Sequence, residues 1–426
     1  MKILKFGYPV NSDEELAEVL KLCQLYHDLK YNRDEISNFF RKNTESFDIS
    51  LSLTNRCGNG CLHCSTNASL GKSNISVPFD PLKIALKEMR PHTRFLYISC
   101  EGDPFYYESN NKNIVDVIEL LLDLKYPKIS LQTMPPNKQK FDQLKRIIQL
   151  IKNNNLNDMI FFPQVSFNLY TPRSGVILTS KTDNHGFKYK QCSFPPIDHD
   201  EIQKWVIELI NNFTNPSSLS SEDSLNKYRM LRTFIFDFIR TVLLYTSLNF
   251  PINFELRGDK YSEFTGLKNT HEIFMLIMDS LIENYPELDF KYKLDAAYII
   301  PLGRAATLFP DGKQQERELF DKHIQMNPYN YLCDNWMRWS SMTIDTMGYP
   351  QLCYSNLALS PIARTTSGPN LYKDGFDAIC DFYINVFEDR LQFLRENLPK
   401  LVRTRPNKNY CPLNLFKDVL KKFQQI

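Results

Sequence analysis

Residues 51–64 read LSLTNRCGNGCLHC, an alternating apolar run followed by a loop that holds three cysteines. The spacing of Cys57, Cys61 and Cys64 is Cys-x3-Cys-x2-Cys. Structural zinc sites usually close with four ligands, most often from two Cys-x2-Cys-type pairs, and this loop supplies three. Three thiolates suit a [4Fe–4S] cluster whose fourth iron has no protein ligand. The spacing therefore favours a cubane with one open iron, with a structural zinc knuckle or free thiols as the alternatives.

Two glycines, Gly58 and Gly60, lie between the first two cysteines. Glycine adopts positive φ angles at little cost, because it has no Cβ atom. We therefore predict that both glycines take such conformations and fold the loop tightly enough for the three sulfurs to converge.

With this motif the chain resembles the radical S-adenosylmethionine superfamily, in which the same loop follows the first strand of a partial barrel. The resemblance implies that the open iron chelates the amino and carboxylate groups of S-adenosylmethionine. It also implies that the reduced cluster splits the sulfonium and that the 5′-deoxyadenosyl radical abstracts hydrogen from a substrate. An electron donor such as flavodoxin or ferredoxin would then be a partner. His63 stands where the family usually has an aromatic residue, and we interpret it as a ring packed beside the cluster.

Length, charge and cysteine content narrow the class of protein. At 426 residues the chain is long enough for two domains. Lys and Arg number 51 against 49 Asp and Glu, a net charge of +2, so no basic field indicates nucleic acid. Residues 1–9 do not resemble a signal peptide, and no uncharged stretch reaches the ~18 residues of a membrane span. Ten cysteines without a secretion signal indicate metal ligation in a reducing compartment, and we interpret the protein as cytoplasmic.

Strand-like and helical patterns alternate after residue 47. The predicted strands are Asp48–Leu53, Arg94–Ser99, Lys128–Thr133, Met159–Leu169, Pro251–Leu256 and Ala296–Pro301. The helical patterns are Asp80–Met89, Asn113–Lys125, Lys138–Asn153, His199–Asn212 and Thr270–Tyr285, with a helical insertion at 218–248. Six β–α repeats joined by right-handed crossovers predict an α/β fold, an open, partial (β/α)6 TIM-like barrel.

The flanking segments predict two further units. Residues 1–47 have short helical patterns, and we interpret them as an N-terminal helical extension that caps the barrel, with a small peptide-recognition element as the alternative. The barrel is predicted to span 48–310. After residue 310 the β–α alternation ends, and 311–426 are predicted to form a small C-terminal domain.

The second predicted strand leads into Cys100, Glu101, Gly102 and Asp103, followed by a proline. In parallel α/β folds, the carboxyl ends of the strands carry the chemistry. The superfamily has a Gly-Gly-Glu-Pro-like motif here that holds the methionine amino group, so the resemblance implies that these four residues bind the cofactor. The sequence departs from that motif, with Asp103 where glutamate is usual. The alternative is an ordinary Gly-Asp-Pro turn.

Two later strands supply further cofactor candidates. Ser166 and Asn168 fall on one face of the fourth strand by the period of two. The resemblance implies contacts with the ribose or the methionine carboxylate, and the alternative is two polar groups satisfied inside the barrel. Leu302 and Gly303, with Arg304, resemble a Gly-Arg-Ala ending that lies beside the adenine.

The C-terminal segment contains a second cysteine group. Cys333, Gly348 and Cys353 have the spacing Cys-x14-Gly-x4-Cys, which predicts a hairpin that turns at the glycine. The pattern resembles the opening of SPASM and twitch auxiliary-cluster domains, although the dense cysteine group of a full SPASM domain is absent. The resemblance implies one auxiliary [4Fe–4S] cluster held by Cys333, Cys353, Cys411 and, as the weakest candidate, Cys380. A zinc site is the alternative, and a buried Cys380 could simply pack.

Two classes of function follow from these patterns. The first is an enzyme that generates the deoxyadenosyl radical and modifies a substrate, preferably a ribosomally made peptide, with a carbohydrate or other small metabolite as the alternative. The second is a non-catalytic iron–sulfur scaffold or redox sensor. The motifs after the second and sixth strands favour the enzyme.

Overall fold

The computed structural model describes much of the chain between residues 47 and 385. The described residues are 47–64, 66, 68, 75–98, 101–157, 160–182, 188–193, 199–211, 229–258, 267–298, 341–351 and 368–385. The predicted N-terminal extension lies almost wholly outside them. None of the helices in this part combines the length and apolar character needed to cross a bilayer.

Strands and helices alternate along most of the described chain. The strands are β1 (Phe47–Leu51), β2 (Thr93–Ile98), β3 (Glu108–Ser109), β4 (Lys112–Asn113), β5 (Ile129–Thr133), β6 (Phe161–Phe167), β7 (Ile177–Thr182), β8 (Lys188–Ser193), β9 (Ile252–Gly258), β10 (Tyr292–Tyr298), β11 (Ser341–Ile344) and β12 (Pro350–Gln351). The helices are α1 (Phe79–Met89), α2 (Ile114–Asp123), α3 (Lys138–Asn153), α4 (His199–Asn211), α5 (Arg229–Thr246), α6 (Leu267–Asn284) and α7 (371–385). Short 3-10 turns lie at Arg90–His92, Pro104–Tyr106 and Pro172–Ser174.

The central sheet is largely parallel, in a mixed α/β fold. Its strand order is β10-β9-β6-β5-β2-β1-β11-β12, and only the β11–β12 pair is antiparallel. Each of the six predicted strand segments overlaps one of β1, β2, β5, β6, β9 and β10, which stand side by side in chain order. The largest difference in position is at β10, which begins at Tyr292 rather than at Ala296. The β7–β8 hairpin was not predicted.

Alternate residues of the strands bury one face of the sheet against helices. In β1 the odd-numbered residues are fully buried, and in β6 Phe167 contacts aromatic rings of two helices. Its ring centroid lies 4.5 Å from that of Phe238 in α5 and 5.8 Å from that of Phe274 in α6. Full burial of such a side chain contributes about 1.5–3 kcal/mol. The predicted helical insertion thus supplies part of the core through α5.

A hairpin from the C-terminal segment extends the sheet beyond β1. Strand β11 pairs in parallel with β1, and Ser52 N donates to Ile344 O at 3.0 Å. The turn between β11 and β12 has Gly348 at a φ of +90°, which confirms the predicted glycine turn. A Cβ atom there would lie 2.6 Å from the Tyr372 ring, so α7 also requires a glycine at this position.

The same hairpin is hydrogen-bonded to the loop after β2. Glu101 is buried, and its Oε2 accepts hydrogen bonds from Thr346 N at 2.7 Å and from the Thr346 hydroxyl. On the other side, Tyr383 OH of α7 donates to Gln351 O at 2.9 Å. These contacts join residues far apart in sequence next to the predicted cofactor motif.

Replacement of Thr346 with valine should destabilise this junction. The variant removes one donor to a buried carboxylate, so we expect the free energy of unfolding to fall by about 1.5–3 kcal/mol. Thr346→Ser keeps the hydroxyl and serves as the matched control. Urea denaturation of the two variants measures the difference, and equal stability would show that the hydroxyl bond contributes nothing.

Candidate functional site

The three predicted cysteine ligands lie in one loop at the carboxyl end of β1. Cys61 is buried, whereas Cys57 and Cys64 are half-buried, and no disulfide joins the three to one another. Neighbouring segments hold the loop at several points. Leu62 N donates to Tyr170 O, after β6, at 2.7 Å, and the Cys64 thiol lies 3.3 Å from the Thr66 hydroxyl. The loop is therefore fixed to the segment after β6, and the residues Cys57 and Cys64 are partly exposed.

The two loop glycines are required for different reasons. Gly60 has a φ of +61°, as predicted. Gly58 is not among the positive-φ residues of the described chain, so the prediction of a left-handed conformation there is wrong. A Cβ atom at Gly58 would lie 2.3 Å from the Tyr106 hydroxyl oxygen. Gly58 provides space for an aromatic ring, which local sequence did not reveal.

The described side chains do not form a site for a single metal ion. No group of three His, Cys, Asp or Glu side chains in this part of the chain could hold one ion. A tetrahedral zinc ion needs its sulfur ligands at about 2.3 Å, and therefore close together. A cubane takes one thiolate at each of its irons, so its thiolates stand farther apart. The three cysteines remain candidate ligands of a cluster with one open iron, as their spacing predicts.

Asp103 joins the β2 loop to the cysteine loop. Its carboxylate accepts hydrogen bonds from Asn59 Nδ2 at 2.7 Å, Phe105 N at 3.0 Å and the Thr133 hydroxyl at 3.0 Å. Its backbone N–H donates to Arg56 O at 3.1 Å. Burial raises the pKa of this carboxyl, although the three donors act in the opposite direction. Asp103 therefore holds the cysteine loop by hydrogen bonds to Asn59 and Arg56.

Burial raises the pKa of the Cys57 thiol to about 12, and the charge of Asp103 raises it further. Hydrogen bonds from the backbone and side chain of Asn59 act in the opposite direction. The site therefore disfavours a bare thiolate. A bound cationic centre reverses this balance, because a coordinated thiol loses its proton.

The raised pKa predicts an unusual pH dependence of Cys57 alkylation in the folded, metal-free protein. The thiolate is the nucleophile, and its fraction rises about tenfold for each pH unit below the pKa. The iodoacetamide rate at Cys57 should therefore still climb between about pH 8 and 10, whereas a thiol with an ordinary pKa near 8.5 levels off. Peptide mass spectrometry measures the rate, with the urea-unfolded chain as the control. A plateau at the same pH in both states would contradict the expectation.

Of the remaining predicted cofactor residues after β2, the structure describes Glu101 and Gly102. Cys100 lies outside the described residues. Glu101 directs its carboxylate to Thr346, as described above. Gly102 packs directly against the chain after β1, because a Cβ atom there would lie 2.5 Å from both Thr54 O and Arg56 O. The turn and the cysteine loop therefore touch through backbone at Gly102.

Ser166 and Asn168 have different surroundings at the end of β6. Ser166 Oγ and Gln132 Nε2 both donate to Glu255 Oε2 at 2.9 Å, which links three neighbouring strands. Asn168 is fully buried, and its Nδ2 lies 3.1 Å from Met134 Sδ. Its Oδ1 has no partner among the described residues. Gln132 and Glu255 were not predicted as site residues, because single polar residues within strands give no local signal.

Most of the other predicted site residues lie outside the described chain. These are Leu302, Gly303, Cys333, Cys353 and Cys411. Cys380 is described, and it is buried within α7 in the hydrophobic core. Packing accounts for that burial without a metal, which is the alternative that the sequence left open.

Three polar residues that the sequence analysis did not select connect the cysteine loop to the rest of the site. Arg173 Nη1 donates to Asn59 Oδ1 and to Pro135 O, both at 2.7 Å. Arg173 Nη2 pairs with Asp237 Oδ2 at 2.8 Å, and Arg240 pairs with the other oxygen of Asp237 at 2.7 Å. Burial raises the pKa of the Asp237 carboxyl, and the two arginines oppose that rise. These partners come from the segment after β6 and from α5, far from the loop in sequence.

Comparison with known proteins gives only distant structural similarities. No protein family and no curated protein matches the chain. Streptococcus suis SuiB, solved with bound S-adenosylmethionine, is 12% identical with a TM-score of 0.34, over 85% of this chain and 75% of SuiB. BtrN in complex with AdoMet and 2-DOIA is 12% identical with a TM-score of 0.31, over 86% of this chain and 98% of BtrN. HydG, a maturase of the [FeFe]-hydrogenase, is 12% identical with a TM-score of 0.32, over 75% of this chain and 56% of HydG. Similarities this weak establish neither fold nor function.

Proposed function

We propose that the chain is a radical S-adenosylmethionine enzyme and that its parallel strands form a partial (β/α)6 barrel. The observation that supports this most is the loop of Cys57, Cys61 and Cys64 at the carboxyl end of β1, in contact with the turn after β2. A [4Fe–4S] cluster bound there, reduced by a flavodoxin or ferredoxin, would cleave S-adenosylmethionine to a 5′-deoxyadenosyl radical. Neither of the alternatives, a structural zinc site or a non-catalytic scaffold, accounts as well for three thiols in this spacing.

The residues of the chain would bind the cluster and the cofactor and orient them. The three thiolates would be the cluster ligands, and burial of Cys61 would limit water on one side. We assign cofactor contacts to Cys100, Glu101, Gly102, Asp103, Ser166, Asn168, Leu302 and Gly303. Among these, Asn168 Oδ1 is an acceptor without a described partner, and Asp103 also holds the cysteine loop through Asn59.

We propose a ribosomally made peptide as the substrate, with a carbohydrate or another small metabolite as the alternative. The support for the peptide is the second cysteine group, because auxiliary-cluster relatives in the superfamily often act on peptides. Cys333, Cys353 and Cys411, with Cys380 as the weakest candidate, would hold that second [4Fe–4S] cluster.

The function is tested by cofactor cleavage. Anaerobically reconstituted, dithionite-reduced protein should convert S-adenosylmethionine to 5′-deoxyadenosine and methionine, measured by chromatography, with candidate peptides included. An intact cluster that yields no deoxyadenosine with excess cofactor and peptides would favour the scaffold or redox sensor.

Replacement of Cys353 separates the roles of the two proposed clusters. A folded Cys353→Ala protein should still cleave S-adenosylmethionine but fail to complete the product, because the first cluster loop has its own ligands. Deoxyadenosine yield and product mass, measured on the same sample, report the two steps. Normal product formation without the second cluster would refute its catalytic role, and a parallel loss of stability and both activities would indicate a role in folding.

A further inference from the structure

The side-chain amide of Asn59 lies against the first thiol of the cysteine loop. Asn59 is buried, and its Nδ2 lies 3.6 Å from Cys57 Sγ, within the range for a hydrogen bond to sulfur. The backbone N–H of Asn59 also faces this sulfur. One residue thus offers two N–H donors to one proposed cluster ligand.

The orientation of this amide follows from its partners. Nδ2 is also 2.7 Å from Asp103 Oδ2, and a carboxylate oxygen accepts a hydrogen bond. Oδ1 is 2.7 Å from Arg173 Nη1, which can only donate. The exchange of nitrogen and oxygen would break both bonds, so the N–H side must face Cys57.

A buried ion-pair network fixes the partner of that amide. Arg173 is held by Pro135 O and by Asp237, which Arg240 also pairs. The Arg173 guanidinium therefore donates to three acceptors, Asn59 Oδ1, Pro135 O and Asp237 Oδ2, which together restrict its orientation. Both partners of the amide, Asp103 and Arg173, are themselves hydrogen-bonded, so they hold the amide in one orientation. The N–H donor to the Cys57 sulfur is therefore in place before any cluster binds.

We propose that the Asn59 side chain raises the reduction potential of the cluster at Cys57, Cys61 and Cys64 by donating an N–H to the Cys57 sulfur. The inference rests on the proposed function. On reduction the cluster gains one electron from its donor, and no bond forms or breaks. The added negative charge spreads onto the thiolate sulfurs, so a hydrogen bond to sulfur stabilises the reduced state more than the oxidised state.

The test is a redox titration of the reconstituted full-length protein, followed by electron paramagnetic resonance. The signal to follow is the one that changes when S-adenosylmethionine is added, since only a cluster with an open iron binds it. Asn59→Ala removes the side-chain donor and should make reduction several-fold less favourable, at about 59 mV for each factor of ten. Thr171→Val is the matched control. Thr171 donates to Asn59 O at 2.7 Å, so the control removes an anchor of the same residue but keeps the amide.

The outcomes separate the inference from the function. A lower potential in Asn59→Ala alone supports the inference. An unchanged potential, or an equal fall in both variants, overturns it while the cofactor-sensitive signal leaves the proposed function intact. A wild-type protein with no such signal overturns both. If Asn59→Ala incorporates no iron, pulsed electron paramagnetic resonance on wild-type protein with 15N in the asparagine side chains tests the inference instead. The inference requires a coupling between the Asn59 side-chain nitrogen and the reduced cluster, and its absence would overturn it.

Discussion

Simultaneous replacement of Cys57, Cys61 and Cys64 with alanine is expected to abolish S-adenosylmethionine cleavage and to remove about half of the bound iron. Two cubanes bind about eight irons per chain, and the variant should retain about four. The fold should survive, because Cys57 and Cys64 are half-buried and the loop keeps its backbone hydrogen bonds from Leu62 N to Tyr170 O and from Asp103 N to Arg56 O. Iron analysis and deoxyadenosine yield measure the two effects on one sample.

Cys380→Ala is the control for that experiment. It removes a thiol that is buried in α7 and is not part of the cysteine loop, so cofactor cleavage should be retained. Unchanged iron would favour the packing interpretation of Cys380, and a loss of about half of the iron would assign it to the second cluster. The two-cluster hypothesis would fail if the triple variant retained no iron and the C-terminal cysteines bound zinc.

Hydrophobic periodicity predicted those strands and helices whose own residues carry the pattern. The pattern Lys138–Asn153 matches α3 at both ends, because its apolar residues follow a helical period and Asn137 caps its first turn. Alternation marked β1 and β6 for the same reason. Strand β11 could not be predicted as a neighbour of β1, because nothing within its four residues encodes a partner nearly three hundred residues earlier.

The candidate site divides in a similar way. Cysteine spacing and the glycine-containing turn after β2 are local signals, and the structure brings the two segments into contact at Gly102. The groups that orient them are not local. Arg173 orients the Asn59 amide, and Asp237, which lies 64 residues farther along the chain, orients Arg173. A solvent-exposed ion pair would have the same sequence pattern, so only the folded arrangement identifies these residues.

Gly102→Ala is expected to disrupt the site more than any other single small substitution in the described chain. A Cβ atom would lie 2.5 Å from Thr54 O and from Arg56 O, both in the segment after β1. Both obstacles are backbone atoms, and Arg56 O also accepts from Asp103 N at 3.1 Å. The overlap can be relieved only if the turn moves away from the cysteine loop. We expect the free energy of unfolding to fall by about 3 kcal/mol, the upper part of the overpacking range.

Gly60→Ala is the matched control, because it places the same methyl group in the adjoining loop. Its nearest neighbour would be Pro172 at 3.4 Å, so its cost comes from the positive φ, about 1–2 kcal/mol. Asparagine tolerates that conformation, and Gly60→Asn should therefore recover part of the loss, whereas no side chain should rescue position 102. Urea denaturation and iron incorporation distinguish the two positions. If Gly102→Ala were as stable as Gly60→Asn and bound iron normally, close backbone contact between the turn and the cysteine loop would not be what holds the site together.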